Sequence, residues 1–116
     1  RRPVAAPYKL EDMAADTDFA TWRRVLSINL DGTFLGCKYA FPLLRKKGGS
    51  IVNLSSVLGL VGSSNLAAYT ASKGGVSLLT KSVALNGARY KPPVRCNAVC
   101  PAFIAGAKDG EFDFTE

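Results

Sequence analysis

The sequence predicts an α/β fold built on parallel strands, and three observations lead there. Residues 50–55 and 94–99 are short, apolar and β-branched, the pattern of buried strands. Each follows a long stretch whose apolar residues recur at helical spacing. A crossover of that length between two strands favours parallel over hairpin pairing.

Residues 1–17 read as a loop, punctuated by Pro3 and Pro7. Asp16, Thr17 or Asp18 can cap the helix that follows. Phe19, Trp22, Leu26, Leu30, Phe34 and Tyr39 then recur at near-helical spacing. They predict one long helix, bent near residues 29–32 and ending at Gly48-Gly49. Lys46 and Lys47 in its last turn suit the negative end of the helix dipole, and the glycines suit a stop. The first strand follows over residues 50–55. Residues 57–64 form a loop marked by Gly59 and Gly62. Ser64 or Asn65 can cap a second helix over residues 66–90, which Pro92-Pro93 stops. The second strand spans residues 94–99. Residues 102–116 hold no sustained period and read as loop or short helix. Two strands alone make a poor sheet, with Ile51, Val52, Val94 and Val99 short of partners. The expected sheet is therefore incomplete.

The chain has 116 residues, 47% hydrophobic and 21% charged, a composition that fits one folded domain and excludes disorder. No apolar run is long enough to cross a bilayer, and the basic N-terminus lacks the apolar stretch of a secretory signal. The net charge of +6 is dispersed, as at residues 45–47 and 89–91, with no nucleic-acid motif beside it. It reads as solvated charge at helix ends, so neither nucleic acid nor a membrane is an expected partner. Histidine is absent, which removes zinc-hydrolase and Ser-His chemistry. Cys96 and Cys100 lie four residues apart on a strand, roughly 13 Å, too far for a disulfide. With Cys37 they read as buried, reduced thiols of a cytoplasmic protein.

One constellation carries chemistry. Tyr69 and Lys73 are four residues apart within a helix, on one face, with Cα atoms about 6 Å apart. A free phenol is a poor acid–base catalyst at neutral pH, and a nearby ammonium stabilises its phenolate. The pair is thus a sensible proton-transfer device, although Tyr-x-x-x-Lys alone is common by chance. Ser56 follows the first strand and Pro101 follows the second, both at the C-terminal end of the sheet, where ligands bind in open parallel sheets. A Ser56 hydroxyl there can bond a carbonyl or alcohol oxygen. Gly74 and Gly75 each cost a helix about 1 kcal/mol relative to alanine, which close approach of a cofactor or another helix can offset.

These residues resemble the short-chain dehydrogenase/reductase family. The matching runs are Ile28-Asn29-Leu30-x-Gly32-Thr33-Phe34, the stretch from Gly49 through Ser56 to Gly59, Tyr69-x-Ala71-Ser72-Lys73-Gly74-Gly75, and the stretch from Val94 to Pro101. Ser56 precedes Tyr69 by 13 residues, the spacing usual in the family. The resemblance covers about residues 18–105. It implies part of a Rossmann-like, doubly wound parallel sheet: an N-terminal loop over 1–17, a catalytic half over 18–105, and a tail over 106–116 from a shortened substrate-loop region. It also implies an NAD(P)-dependent oxidoreductase that interconverts a secondary alcohol and a ketone. Tyr69 would be the general acid or base, and Lys73 would ease its ionisation. Ser56 would hold the substrate oxygen, and Asn29 would fix a water that relays protons to Lys73. Tyr69, Lys73, Pro101, Ala102 and Ile104 would meet the NAD or NADP cofactor. The two long helices would pack against a neighbouring copy, making a homo-oligomer.

The family's N-terminal Gly-rich phosphate turn has no counterpart here, so the isolated chain is expected to bind dinucleotide weakly or not at all. Ala102 stands where the family usually has glycine, and Gly106 where it usually has threonine. The alternative reading is a catalytically inactive chain that associates through its helices with a full-length relative.

Overall fold

The computed structural model describes residues 14–102 and 104. The expectation for residues 106–116, Gly106 included, and most of the expected N-terminal loop lie outside the described residues.

Among the described residues the expected order of helix, strand, helix, strand holds, with the first long helix divided in two. Helix α1 spans Phe19–Leu26, α2 spans Gly32–Leu44, strand β1 spans Gly49–Leu54, α3 spans Ala67–Gly87 and β2 spans Val94–Val99. Of the three candidate caps, Asp18 starts α1: its carboxylate accepts from the Thr21 backbone N–H at 2.7 Å and the Thr21 hydroxyl at 3.2 Å. The bend expected near residues 29–32 is a π-helical turn, Ser27–Asp31, so α1 and α2 form one rod with a wide turn inside it.

That rod ends at Leu44, earlier than Gly48-Gly49. Lys46 and Lys47 therefore lie in a turn, not in the last turn of a helix. Packing sets the stop. Gly48 takes a left-handed φ of 76°, and a Cβ there would lie 2.8 Å from the Pro92 Cβ. Gly49 donates its N–H to the Pro93 carbonyl and opens the sheet. Helix α3 also differs from expectation at both ends. Ser64 bonds Asn65 and Asn65 bonds Ser63, so these side chains serve the loop, and Leu66 at the N-cap makes no side-chain cap bond. The helix ends at Gly87, short of Tyr90, and this last residue packs so closely on the Val94 carbonyl that a Cβ there would run into it. Residues beyond it form a turn in which the Tyr90 ring meets the Phe41 ring edge-on, at 5.5 Å.

β1 and β2 pair in parallel, in register from Gly49↔Val94 to Leu54↔Val99. Pairing continues past the strand ends, through Ser55 N–H to the Val99 carbonyl (2.8 Å) and Val57 N–H to the Pro101 carbonyl (2.9 Å). α2 and α3 pack on the sheet. Strand alternation buries Asn53, Val94 and Cys96 and leaves Val52, Leu54 and Val99 exposed. Of the four residues expected to lack partners, then, Val52 and Val99 are exposed, Ile51 is half-buried and Val94 is buried. The architecture is part of a Rossmann-like α/β fold. Asn53 sits in a polar knot within the core, donating to Thr80 Oγ1 at 3.0 Å and touching the sulfurs of Cys37 and Cys96. Burial, then the neighbouring Cys37 thiol, pushes the Cys96 thiol up from its ordinary range. The three cysteines are free, but Cys100 is half-buried, because it follows β2 where the sheet opens to the site. Among the described residues, no helix is long and apolar enough to cross a membrane.

Candidate active site

The site sits at the C-terminal end of the sheet. It is built by the end of β1, the 3-10 turn Val57–Gly59 and the first turns of α3. Ser56 is buried and caps that turn: its Oγ accepts from the Leu58 N–H at 3.1 Å. Its own O–H donates to no described residue, and so is open to an incoming oxygen.

Lys73 is gripped by the same strand end. Its Nζ donates to the Leu54 carbonyl at 3.1 Å, while its own carbonyl accepts from the Ser55 hydroxyl at 3.0 Å. Among the described residues, one of three ammonium hydrogens is thereby used, leaving two for a ligand. Partial burial holds the Lys73 ammonium below the ordinary lysine range. Tyr69 is half-buried on the same helix face, its ring centre 5.8 Å from the Lys73 Nζ. Gly59 closes the turn onto α3: a Cβ there would strike the Ser55 Oγ and lie 2.7 Å from the Lys73 carbonyl oxygen. Leu54, Ser55 and Gly59 all meet Lys73, so Ser56, lying among them, is at the same end as the Tyr69–Lys73 turn.

Asn29 reaches the site indirectly. Its Nδ2 donates to Ser72 Oγ at 3.1 Å, and the Ser72 hydroxyl donates to the Tyr69 carbonyl at 2.7 Å. The Asn29 backbone carbonyl is engaged by the Thr33 hydroxyl at 2.8 Å. The π-helical turn is thus tied to the Tyr69 turn of α3 through Ser72, which is fully buried. Leu30 fills the notch at Gly75, where a Cβ would lie 2.8 Å from its Cδ2. Helix packing therefore accounts for that glycine.

Pro101 closes β2 beside the Val57 turn, while Ala102 and Ile104 are exposed just beyond it. The sequence reading missed Ser72 and Ser77 as contributors. Their signal was present: Ala68, Ser72, Val76, Ser77 and Thr80 form the buried stripe of α3, and three of these five carry hydroxyls. Hydroxyls on a buried stripe need partners.

A family model described as "short chain dehydrogenase" matches residues 5–113. The trans-4-hydroxycyclohexanecarboxylate dehydrogenase of Sinomonas cyclohexanicum is 46% identical over 100 residues, which are 82% of this chain and 38% of that protein. The NADP-dependent (R)-specific alcohol dehydrogenase of Lentilactobacillus kefiri is 45% identical over 91 residues, 77% of this chain and 36% of that protein. Among solved structures, a putative oxidoreductase from Escherichia coli str. K-12 superposes with a TM-score of 0.78 at 33% identity, over 86% of this chain and 42% of that one. The chain spans well under half the length of the relatives it matches.

Proposed function

This chain belongs to the short-chain dehydrogenase family, and from that premise we propose that residues 18–105 are the catalytic half of an NAD(P)-dependent oxidoreductase. Its substrate is a secondary alcohol or the matching ketone. The observation that carries this reading is the double grip on Lys73 by the strand end bearing Ser56.

The donor set suits the nicotinamide end of a dinucleotide. Lys73 keeps two ammonium hydrogens for ribose hydroxyls, with Tyr69 on the same helix face. Pro101, Ala102 and Ile104 follow β2 on the same side of the sheet. Bound there, a nicotinamide would supply the hydride acceptor or donor for the alcohol carbon, with Tyr69, Lys73 and the segment after β2 holding it. Ser56 donates its free O–H to the substrate oxygen and holds it. Tyr69 gives that oxygen a proton in reduction and takes one in oxidation. Lys73 stabilises the phenolate as the proton leaves. Asn29 braces the Tyr69 turn through Ser72, and its Oδ1, which bonds no described residue, can accept from a water on the way to Lys73.

Tyr69→Phe tests the reading. In the active protein that includes this chain, followed by nicotinamide absorbance, turnover is expected to vanish while NAD(P)H binding persists; a retained rate overturns it. Titrating the 116-residue chain alone with NADH and NADPH is expected to give weak binding or none. Micromolar affinity would refute the idea that most of the dinucleotide site lies elsewhere.

A specific observation favours a second reading, association through the helices. Phe34, Tyr39, Leu43, Leu78 and Leu85 are exposed on α2 and α3. Between those helices lies a groove of about 230 Å³ lined by Phe34, Phe41, Leu79 and Val83. Sedimentation would show an oligomer that Leu85→Glu weakens.

A further inference from the structure

We propose that Ser55, not only Ser56, serves the reaction: it is a positioning residue that fixes Lys73 against Tyr69, with Ser77 completing the clamp. The proposal rests on the catalytic reading above and names a further residue for it.

Three consecutive residues at the end of β1 treat α3 in three ways. The Leu54 carbonyl takes the Lys73 ammonium, the Ser55 hydroxyl takes the Lys73 carbonyl, and Ser56 keeps for substrate an O–H that bonds no described residue. Ser55 is 5% exposed, and its Oγ also lies 2.7 Å from Ser77 Oγ. The direction of that second bond follows from the first. A carbonyl can only accept, so Ser55 spends its single hydrogen on Lys73. Ser77 must then donate to Ser55. The result is a one-way chain from Ser77 to Ser55 to the Lys73 carbonyl. Ser77 lies one helical turn beyond Lys73, which brings its hydroxyl beside that carbonyl.

The 3-10 turn packs directly against this clamp. A Cβ on Gly59 would strike the Ser55 Oγ and crowd the Lys73 backbone, so the 3-10 turn behind Ser56 closes only over this clamp. Lys73 is thereby held at both ends of its flexible four-carbon stem: by Ser55 at the backbone and by Leu54 at the ammonium. Without the Ser55 bond the lysine turn can drift relative to Ser56. Small displacements of reacting groups cost roughly a hundredfold in rate.

The primary test needs no substrate. Competitive acetylation of the purified protein, read by mass spectrometry against pH, follows the Lys73 amine directly. In the native protein Lys73 is expected to titrate below the ordinary lysine range. Loss of the Ser55 bond frees the lysine turn to drift and its part-buried amine to gain solvent, so Ser55→Ala is expected to move the midpoint up toward that range; a midpoint unmoved together with an unchanged kcat and pH profile overturns the proposal. In the active enzyme, Ser55→Ala is expected to lower kcat roughly ten- to hundredfold, leave KM within about twofold, and displace the alkaline limb of the pH–rate profile. Ser77→Ala keeps the Ser55–Lys73 bond and is expected to do less on every measure. A purely structural Ser55 would lower the melting temperature alone. If Ser55→Ala does not fold, Ser55→Cys is read instead: a thiol is a weaker donor of similar shape, and the same direction of change is required. Tyr69→Phe separates the two ideas. If it retains turnover, the catalytic reading fails whatever Ser55 does. If it abolishes turnover while Ser55→Ala leaves the Lys73 midpoint, kcat and pH profile unmoved, only the Ser55 proposal fails.

Discussion

The two ends of the β1–α3 pair are both closed by a glycine pressed against its neighbour, yet they are built from different materials. At the N-terminal end Gly48 meets Pro92 and Pro93, Gly49 meets Leu44, and Gly87 meets the Val94 carbonyl. Those contacts are apolar or backbone, and the basic side chains around them, Lys46, Lys47, Arg89 and Lys91, are exposed. At the C-terminal end Gly59 meets a hydroxyl and the backbone of a lysine, and the grip is made of hydrogen bonds. One end is a steric stop that sets where the helices finish. The other is a polar clamp that sets where an ammonium sits. Damage to the first should cost stability, and damage to the second should cost rate.

Lys73→Met puts the difference most severely. It removes a proton-transfer partner, and turnover is expected to fall at least about a hundredfold. Stability should hold or rise, because partial burial disfavours the Lys73 charge. Below its lowered folded value, the folded chain carries a half-buried ammonium that the unfolded chain carries in water. The unfolded chain therefore binds that proton more tightly, and stability climbs as pH rises toward the ordinary 10.5. Urea titrations across the alkaline range should show that slope in the native protein and a flatter one in Lys73→Met. Equal slopes would mean that Lys73 is as well solvated folded as unfolded.

Gly87→Ala and Gly59→Ala form a matched pair, one at each end. Each inserts a methyl into a filled space, a cost of about 1–3 kcal/mol. For Gly87→Ala the loss should appear in the unfolding midpoint alone, with kcat per folded molecule unchanged. For Gly59→Ala the midpoint and kcat should both fall, because the displaced groups are Ser55 and Lys73. If Gly87→Ala lowered kcat as much, the two ends would not be separable.

The same contrast explains what could be read from the sequence. Strand limits were legible to within a residue, because β-branched runs bounded by glycine and proline have few other uses. Spacing was enough to place Tyr69 and Lys73 on one helix face, and position after a strand enough to place Ser56 at the sheet's end, while the roles proposed for them came from the family resemblance. Helix ends were not. Lys46-Lys47 and Pro92-Pro93 are good local stop signals, but α2 finishes at Leu44 and α3 at Gly87, just before the chain packs tightly, Gly48 on the proline turn and Gly87 on β2. Those contacts join residues more than 40 positions apart in the first case, and local pattern does not encode them. Ser72 and Ser77 were missed for a related reason. Their partners, Asn29 and Ser55, lie on other elements, so a hydroxyl in an apolar helix had no visible purpose until the elements were packed.

Asp18 supplies a control far from either clamp. Its carboxylate caps α1, and the Thr21 backbone N–H, with the Thr21 hydroxyl second, holds it below the usual carboxylate range. A lowered folded value means stability that is complete above the ordinary 3.8 and is lost as pH falls through the folded value. Asp18→Asn keeps an oxygen in the capping position and removes the charge, so its unfolding midpoint at neutral pH should lie close to native, a little lower because the helix dipole loses an anion. The gap between the two proteins should then close in acid, and nowhere else. A gap that stayed constant with pH would assign the capping energy to geometry alone. Neither result should touch kcat, since the cap lies more than two helical turns from Asn29 along the same rod.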